Sequence, residues 1–322
     1  MGKRLKAKSG GKGLASALLR HQVLDKSQKK AANSEKTKEK HLPKQVRENK
    51  EIQQQINETK AFVPFEKDEY IMLIGEGDFS FALSIVKEGL IDPKHLVITS
   101  FDNSVKELTL KYPNTFPKYH HELTEIFKVK IFFKIDATNL TKTLKVTGKN
   151  ITAVLGVPKL DYIIFNFPHT GRGMKDQDRN IRDHQILVLG YFKSCIELFK
   201  LFNMHANSFS KTSDLNIVSQ TTSFSNEPKI VLSVFDGEPY DSWNIKSLSK
   251  TLGLKVEKSG KFTWDAFKGY KHKRTNSEQN TTKVAGERRA RMYVFEKFKK
   301  QPKGKGSTDD NDDDDDDNNN NS

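Results

Sequence analysis

The sequence contains a single cysteine, Cys195, among 322 residues. One thiol cannot form an intrachain disulfide or a multi-cysteine zinc site, so neither kind of cross-link is available to the fold. No apolar run approaches the roughly 20 residues that span a bilayer. The basic N-terminus is not followed by the apolar block of a signal peptide. We therefore expect an intracellular protein with no membrane anchor.

Acidic residues are in deficit: 41 Asp and Glu stand against 55 Lys and Arg, which gives a formal net charge of +14. The first sixty residues alone hold 16 Lys and Arg and 6 Asp and Glu. This composition predicts a basic disordered arm over 1–61, suited to phosphate binding or to a nuclear or nucleolar address. Residues 298–322 include eight Asp among Asn and Ser, which predicts a second disordered tail.

The most informative stretch is Tyr70–Leu83, where a short apolar run precedes Gly75 and Gly77 and then apolar residues at helical spacing. Strand, glycine turn and helix in this order open a doubly wound α/β sheet. Glycine lets the backbone turn sharply and lets a ligand approach it. Ligands in such sheets bind at the carboxyl ends of the strands, so we expect the turn with Glu76 and Asp78 to lie at the site.

Two cofactor classes compete for this turn, NAD and S-adenosylmethionine. Ser80 stands where the dinucleotide fingerprint has its third glycine, and Asp78 stands where a pyrophosphate would lie. An acidic turn suits a cationic ligand that carries no phosphate. S-adenosylmethionine, with its ammonium and sulfonium groups, therefore fits the turn better than NAD does.

Two further apolar runs, 95–101 and 129–135, each end in an acid. An acid at the end of the second strand, Asp102, can accept hydrogen bonds from ribose hydroxyls. The acid after the third strand, Asp136, can meet the exocyclic amine of an adenine beside Ala137. Each acid has an alternative role as the N-cap of the helix that follows it.

The second informative stretch is Asp161–Gly171, where an apolar strand ends in Asn166-Phe167-Pro168-His169. Asn166 can offer a carbonyl and an amide to a flat polar ligand, and Phe167 can stack on a base for roughly 1–3 kcal/mol. Pro168 stiffens the turn that leads to His169. The alternative is a plain proline turn with Phe167 in the core and His169 bonded only to the backbone.

The rest of the chain predicts one α/β domain over 62–297. We expect a long helix at 179–202 and a polar insertion at 203–228. Further strands are predicted at 230–235, 254–264 and 291–296. The last of these alternates as an antiparallel edge strand does, so the prediction is a mostly parallel seven-stranded sheet with an antiparallel edge strand.

Four stretches together closely resemble the eukaryotic large-subunit ribosomal RNA uridine-N3 methyltransferases: Gly75–Leu83, Phe165–His169, Asp236–Tyr240 with Trp243, and Gly269–Thr275. The resemblance covers about residues 68–296. It implies a Rossmann-like domain that uses S-adenosylmethionine to methylate uridine N3 in the nucleolus. The partners it implies are large-subunit rRNA or pre-ribosomal particles, and we expect a monomer. The chain departs from the family pattern in the insertion and in Lys268, where proline is usual.

A mechanism built on this resemblance and on the charges and positions of the residues assigns roles to individual side chains. The expected cofactor ligands are Gly75, Glu76, Gly77, Asp78, Asp102, Asp136, Ala137 and Asn166. The expected catalytic residues are Asn166, which frames the uracil, and His169, which takes the N3 proton because its ordinary pKa is near 6.5. The expected RNA contacts are Phe167, Pro168, Arg172, Lys175, Tyr270, His272, Lys273 and Arg274.

Other chemistries and functions compete with this interpretation. Transfer to a pyrimidine carbon needs a thiolate, and Cys195 is predicted to lie on a helix away from the site. The neighbours His120 and His121 do not share a helix face, so no metal site is predicted. A catalytically silent RNA-binding assembly factor with the same fold remains an alternative, which a titration with S-adenosylmethionine distinguishes.

Overall fold

The computed structural model of the protein describes residues 61–173, 176–210, 227–275, 277–280 and 288–298. The chain divides between Ala61 and Phe62 into two units, and the second unit holds the sheet. The predicted arm and tail therefore lie outside the described residues, apart from Ala61 and Phe298. Lys175 and 211–226 of the predicted insertion lie outside them as well.

The second unit is built on a seven-stranded sheet. Its strands are β1 Ile71–Ile74, β2 Leu96–Thr99, β3 Lys130–Phe132, β4 Tyr162–Asn166, β5 Lys229–Phe235, β6 Leu254–Lys261 and β9 Ala290–Lys297. Their order across the sheet is β3-β2-β1-β4-β5-β9-β6. The first five are parallel, while β9 pairs antiparallel with both β5 and β6. A separate antiparallel ribbon joins β7 Lys273–Arg274 to β8 Ser277–Asn280.

The α/β class and the mostly parallel seven-stranded sheet are confirmed, but the strand predicted at the edge lies elsewhere. β9, predicted at 291–296, lies one place in from the edge, and β6 forms the edge beyond it. The alternation of residue type in β9 is that of an antiparallel strand, and β9 pairs antiparallel with the strands on both of its sides. Met292, Val294 and Phe295 are all buried, which an exposed edge strand would not require.

Seven α-helices are described: α1 Ser80–Lys87, α2 Val105–Lys111, α3 Phe116–His121, α4 Leu140–Thr143, α5 Ile151–Leu155, α6 Gln177–Ser210 and α7 Ile245–Thr251. A π-helical turn, Glu122–Ile126, follows α3. The long predicted helix is confirmed, but α6 runs past 202 through the first residues of the predicted insertion. None of the described helices has the length and apolar character needed to cross a bilayer.

Two cores lie on opposite faces of the sheet because successive strand residues point to opposite sides. Met72 and Ile163 face the core that contains residues of α4, α5, α6 and α7. Ile71 and Ile164 face the core that contains residues of α1, α2 and α3. Cys195 is fully buried in the first core, on α6. Because β1, β2, β3 and β4 are parallel, their carboxyl ends meet along one edge of the sheet.

Candidate active site

The glycine turn after β1 is held by the side chain of Asp78. Its Oδ1 accepts hydrogen bonds from the Ser80 amide at 3.0 Å and from Ser80 Oγ at 2.6 Å. Its Oδ2 accepts a bond from Thr115 Oγ1 at 3.1 Å. Phe79, between Asp78 and Ser80, has φ 66°, and this left-handed conformation makes the tight turn from which α1 begins. The hydrogen bonds of Asp78 therefore hold the conformation of the turn, and its buried carboxylate places a negative charge there.

Glu76 brings a second buried carboxyl to the same turn. Its side chain is 8% exposed, and its Oε2 accepts a bond from the Ala82 amide at 3.3 Å. Burial raises the pKa of Glu76 to about 8, the charge of Asp78 adds to this rise, and the bond from Ala82 opposes it. Without a nearby cation this carboxyl is mostly protonated at neutral pH.

The two glycines of the turn have different neighbours. Gly75 has φ 67°, and a Cβ there would lie 2.7 Å from Cε2 of Phe165 on β4. A Cβ on Gly77 would lie 3.2 Å from the hydroxyl of Tyr112. Gly75 is thus required both by the turn and by close packing of the turn against the neighbouring strand.

Asp102 lies just beyond the end of β2 and forms an ion pair with Lys111 of α2. Ser100 Oγ donates to the other carboxylate oxygen at 3.4 Å. The N-cap of α2 is Ser104, whose Oγ accepts a bond from the Glu107 amide at 3.3 Å. The capping alternative is therefore wrong for Asp102, which leaves its carboxylate facing Lys111 at the sheet edge.

Asp136 follows β3 and closes a turn that leads into α4. Its Oδ1 accepts bonds from the amide and the hydroxyl of Thr138, both at 2.8 Å. The N-cap of α4 is Asn139. Asp136 thus orders the turn before the helix and does not cap α4 itself, while Ala137 beside it is buried.

These residues fit the cofactor that the sequence predicts. Glu76, Asp78, Asp102 and Asp136 follow three adjacent parallel strands, so four carboxyl groups gather at one edge of the sheet. Carboxylates at this edge attract a cationic ligand and can accept hydrogen bonds from ribose hydroxyls, but they repel a pyrophosphate.

Asn166 ends β4, the strand next to β1. Its Oδ1 accepts a bond from Ser233 Oγ of β5 at 2.7 Å. Its Nδ2 is buried and has no hydrogen-bond partner among the described residues. An unpaired buried donor is costly, so this amide is poised for an acceptor that a ligand would supply.

Phe167 and two of the predicted RNA contacts, Tyr270 and His272, lie in an aromatic cluster. The ring of Phe167 stacks on Trp264 at 5.6 Å and 8° and on Phe235 at 4.5 Å and 30°. Its centroid lies 4.9 Å from that of His272. Tyr270 stacks on Trp264 at 5.6 Å. Protein rings therefore occupy much of the surface that was expected to stack on a base.

The other predicted RNA contacts are more dispersed. Arg172 is exposed, and its Nη1 forms an ion pair with Oδ1 of Asp183 on α6 at 2.8 Å. Lys273 and Arg274 form β7. Pro168 is buried in the turn after Asn166. Burial and the nearby Arg288 lower the pKa of His272 to about 4, so this ring is neutral at physiological pH and adds no charge for a phosphate.

The ring of His169 is oriented by the loop that carries it. Its Nδ1 accepts a bond from the Gly171 amide at 2.8 Å, so the neutral ring carries its proton on Nε2. Partial burial lowers the pKa of His169, His184 lowers it further, and Asp183 opposes the shift. To take the uracil N3 proton, as expected, His169 must first give up its bond with Gly171. As it stands, His169 offers an Nε2–H donor.

A cavity of about 280 Å³ opens beside His169. Its lining comes from the loop after β4, the start of α6 and the segment after β5: His169, Gln177, Asn180, His184, Pro239, Tyr240 and Trp243. Only His169 was among the predicted site residues. The signal for Pro239, Tyr240 and Trp243 was present in the third motif of the resemblance. Gln177, Asn180 and His184 gave no signal, because polar residues in the first turns of a helix are common.

Comparisons with known proteins identify the family. The model of the family described as BMT5-like rRNA (uridine-N3-)-methyltransferase matches residues 72–274. The 25S rRNA (uridine(2634)-N(3))-methyltransferase of Saccharomyces cerevisiae is 44% identical, over 96% of this chain and 99% of its own length. An uncharacterized Arabidopsis thaliana protein is 27% identical over 63% of this chain and 81% of its own length.

Among solved structures, an antibiotic-related methyltransferase is similar with a TM-score of 0.36 and 11% identity, over 75% of this chain and 98% of that one. The family model spans more than half of the sequence, including the glycine turn and the loop after β4. From that match and the extent of the yeast similarity, the chain belongs to the BMT5-like rRNA (uridine-N3-)-methyltransferase family.

Proposed function

We propose that this protein uses S-adenosylmethionine to methylate N3 of a uridine in large-subunit ribosomal RNA. The observation that carries the proposal is the position of Asn166. It ends β4, next to the acidic edge formed after β1, β2 and β3, and its loop leads through His169 to the cavity. The buried Nδ2 of Asn166, which has no hydrogen-bond partner within the described part of the chain, thus lies between a predicted cofactor edge and the cavity.

The cofactor-binding residues follow from charge and position. Glu76 and Asp78 would hold the ammonium group, Asp102 the ribose hydroxyls, and Asp136 with Ala137 the adenine. When bound, S-adenosylmethionine supplies an electrophilic methyl group on sulfonium. Lys111 already occupies one oxygen of Asp102, so the ribose would share this carboxylate with the lysine.

The chain's own groups would assist loss of the N3 proton by binding the uracil oxygens. Removing the proton from N3 spreads negative charge over the two flanking carbonyl oxygens. Asn166 Nδ2–H and His169 Nε2–H are donors that could stabilise this charge in a partly buried site. Water can then accept the proton, which relieves His169 of the role of base.

The RNA would be held mainly by cations. Arg172, Lys175, Lys273 and Arg274, with the basic residues of 1–60, would contact phosphates. We place the protein as a monomer acting on rRNA or pre-ribosomal particles in the nucleolus. Imaging of a tagged chain and sedimentation of the purified protein test location and oligomeric state.

Mass spectrometry of nucleosides tests the reaction. Purified protein, S-adenosylmethionine and large-subunit rRNA should yield 3-methyluridine, and small-subunit rRNA should yield far less. Asn166→Ala should reduce the rate by about 10–100-fold, as expected for loss of a donor to developing charge. Absence of 3-methyluridine, or appearance of 5-methyluridine in its place, would refute the proposal.

A further inference from the structure

The cavity beside His169 has no role in the assignment of cofactor or phosphate contacts. We propose that it is the pocket that receives the target uracil after the base leaves the RNA stack, and that its donors select uracil over cytosine. This inference rests on the proposed function. Enzymes that modify a base commonly extrude it into a pocket and hold it between aromatic or apolar side chains.

The size and the lining of the cavity suit one small ring. Its volume is about 280 Å³, near the lower end of ligand pockets. Rings of His169, Tyr240, Trp243 and Pro239 line it. The acidic edge that would hold the cofactor lies after β1, β2 and β3, whereas the cavity is formed after β4 and β5. The two ligands would therefore approach each other at Asn166.

One wall of the cavity is pre-formed by two buried rings. His184 stacks on Trp243 with centroids 4.5 Å apart and an angle of 12°. His184 Nδ1–H donates to the Asn180 carbonyl at 2.8 Å, and its Nε2 accepts from the Thr170 amide at 3.4 Å. Both nitrogens are thus engaged, which orients the ring and ties the loop after β4 to α6. A pocket held in this way needs little ordering when a base enters.

The ring of Tyr240 forms another wall of the cavity, and its position is stabilised by Arg288. Arg288 donates to the Tyr240 hydroxyl at 3.2 Å, and its guanidinium lies 3.5 Å from the ring centroid of Phe235. The Tyr240 ring lies 5.0 Å from that of Trp243. The phenol oxygen is therefore engaged with Arg288, while the ring lines the cavity and is available for stacking.

The polar groups of the lining favour a base with two carbonyl acceptors. His169 offers Nε2–H, and Trp243 Nε1–H is buried with no partner in the part of the chain that the structure describes. Gln177 and Asn180 also line the cavity, and their side-chain amides can donate or accept hydrogen bonds. Uracil presents O2 and O4 on either side of N3, whereas cytosine presents an amine in place of O4. An amine cannot accept a hydrogen bond from His169 Nε2–H or Trp243 Nε1–H, which disfavours cytosine.

The fluorescence of Trp243 gives a test that needs no methyl transfer. The sequence has 2 Trp, so Trp264→Phe leaves Trp243 as the sole reporter. Uridine 5′-monophosphate should change its emission saturably, cytidine 5′-monophosphate should require a higher concentration, and ribose 5-phosphate should have no effect. An equal response to ribose 5-phosphate, no response to uridine 5′-monophosphate, or the same response to S-adenosylmethionine alone would overturn the pocket assignment.

Two matched pairs of variants separate selection from stacking in the Trp264→Phe background. His169→Leu should reduce the preference for the uridine nucleotide about tenfold, the value of one lost hydrogen bond, while His169→Gln, which keeps a donor, should retain most of it. Tyr240→Leu should weaken the binding of both nucleotides alike, and Tyr240→Phe, which keeps the ring but loses the bond from Arg288, should weaken both much less. Equal losses for both nucleotides in His169→Leu would overturn the selective role.

The two proposals can fail separately. A protein that shows the uridine-specific Trp243 signal but forms no 3-methyluridine would refute the proposed function and leave the pocket in place. A protein that forms 3-methyluridine without any nucleotide response at Trp243 would refute the pocket alone.

Discussion

The ionisation of single residues at the glycine turn reflects their burial. Glu76 is enclosed by the start of α1, with Asp78 close by and the backbone amide of Ala82 as its hydrogen-bond donor. Tyr270, from the segment before β7, lies near enough for its phenol to experience the charges of Glu76 and Asp78. No Lys or Arg contributes to the pKa of Glu76 among the described residues. The carboxyl therefore keeps its proton well above the usual range.

Replacing Glu76 by Gln should change how stability depends on pH. The folded protein releases the Glu76 proton near pH 8, and the unfolded chain releases it near 4.5. The folded state binds more protons between these values, so the free energy of unfolding falls as pH rises from 4.5 to about 8. The loss should be on the order of 3–5 kcal/mol, and Glu76→Gln should lack it.

Urea denaturation at several pH values measures this effect. Glu125→Gln is the matched control, because the side chain of Glu125 is exposed and forms an ion pair with Lys128 at 3.3 Å. This control should keep the pH dependence of the original protein. A Glu76→Gln protein that lost stability over the same range as the original would show that Glu76 does not hold the proton.

Residue roles could be predicted only as far as residue type determines them. The sequence indicated Asn166 and His169 because a polar pair after a buried strand lies at the sheet edge. It could not show that the Gly171 amide donates to His169 Nδ1, because that bond depends on the path of the loop. Nor could it show that Phe167, with φ 50°, turns its ring toward Trp264 and Phe235.

At the scale of elements, the main strands could be predicted from the sequence, but the short helices and the cavity could not. Continuous apolar runs identified β1, β2, β4 and β5, because strands buried on both faces carry no alternation. The short helices α3 and α5 were missed, since each spans fewer than two turns. The cavity was missed because it combines residues of α6 and of the segment after β5, which lie far apart in the sequence.

The helix α6 positions the turn that carries Asp136. Gly190 of α6 lies against Thr138, and a Cβ at Gly190 would come within 2.7 Å of Thr138 Cγ2. Thr138 is the residue that bonds Asp136 Oδ1. One turn further along α6, Ser194 Oγ accepts a bond from the Leu140 amide at 2.6 Å. The adenine side of the proposed cofactor site therefore depends on close packing against this helix.

Gly190→Ala should consequently weaken cofactor binding although Gly190 is not a cofactor ligand. The added methyl group must displace Thr138 and with it the carboxylate of Asp136. Overpacking of this kind costs about 1–3 kcal/mol, which corresponds to a five- to 150-fold loss of affinity if it is relieved by moving Asp136. Isothermal titration with S-adenosylmethionine measures the loss.

Affinity is the proper measure, because Ala favours a helix over Gly by about 1 kcal/mol and can mask a change in stability. Lys193→Ala, exposed on the same helix, is the control and should bind the cofactor as the original protein does. An unchanged affinity in Gly190→Ala would mean that Thr138 shifts without moving Asp136, or that Asp136 does not contact the cofactor.

For the whole molecule, charge is divided between segments of opposite sign. The first sixty residues contribute ten of the fourteen net positive charges, and the last residues carry eight Asp. The proposed cofactor edge carries the carboxylates of Asp78, Asp136 and Asp102, the last paired with Lys111, while Glu76 holds its proton when no cation is bound. A polyanion is therefore attracted less by this edge than by the basic residues of 1–60, which separates recognition of RNA from recognition of a cationic cofactor.

Removing residues 1–60 should accordingly weaken RNA binding and reduce its dependence on salt. Each phosphate contact contributes about 0.7–0.9 to the slope of log K against log salt. If half of the 16 Lys and Arg in this segment contact phosphates, the slope should fall by about 6–7. Fluorescence anisotropy with an rRNA fragment at several salt concentrations gives the slope.

Removal of residues 299–322 is the matched deletion of opposite charge. It takes away eight Asp and four Lys, a net charge of −4, so RNA binding should become slightly tighter or stay the same, and cofactor affinity should be unaffected by either deletion. If the slope stayed unchanged without residues 1–60, the phosphate contacts would have to come from the domain itself. Arg172, Lys273 and Arg274 would then carry the electrostatic part of RNA recognition.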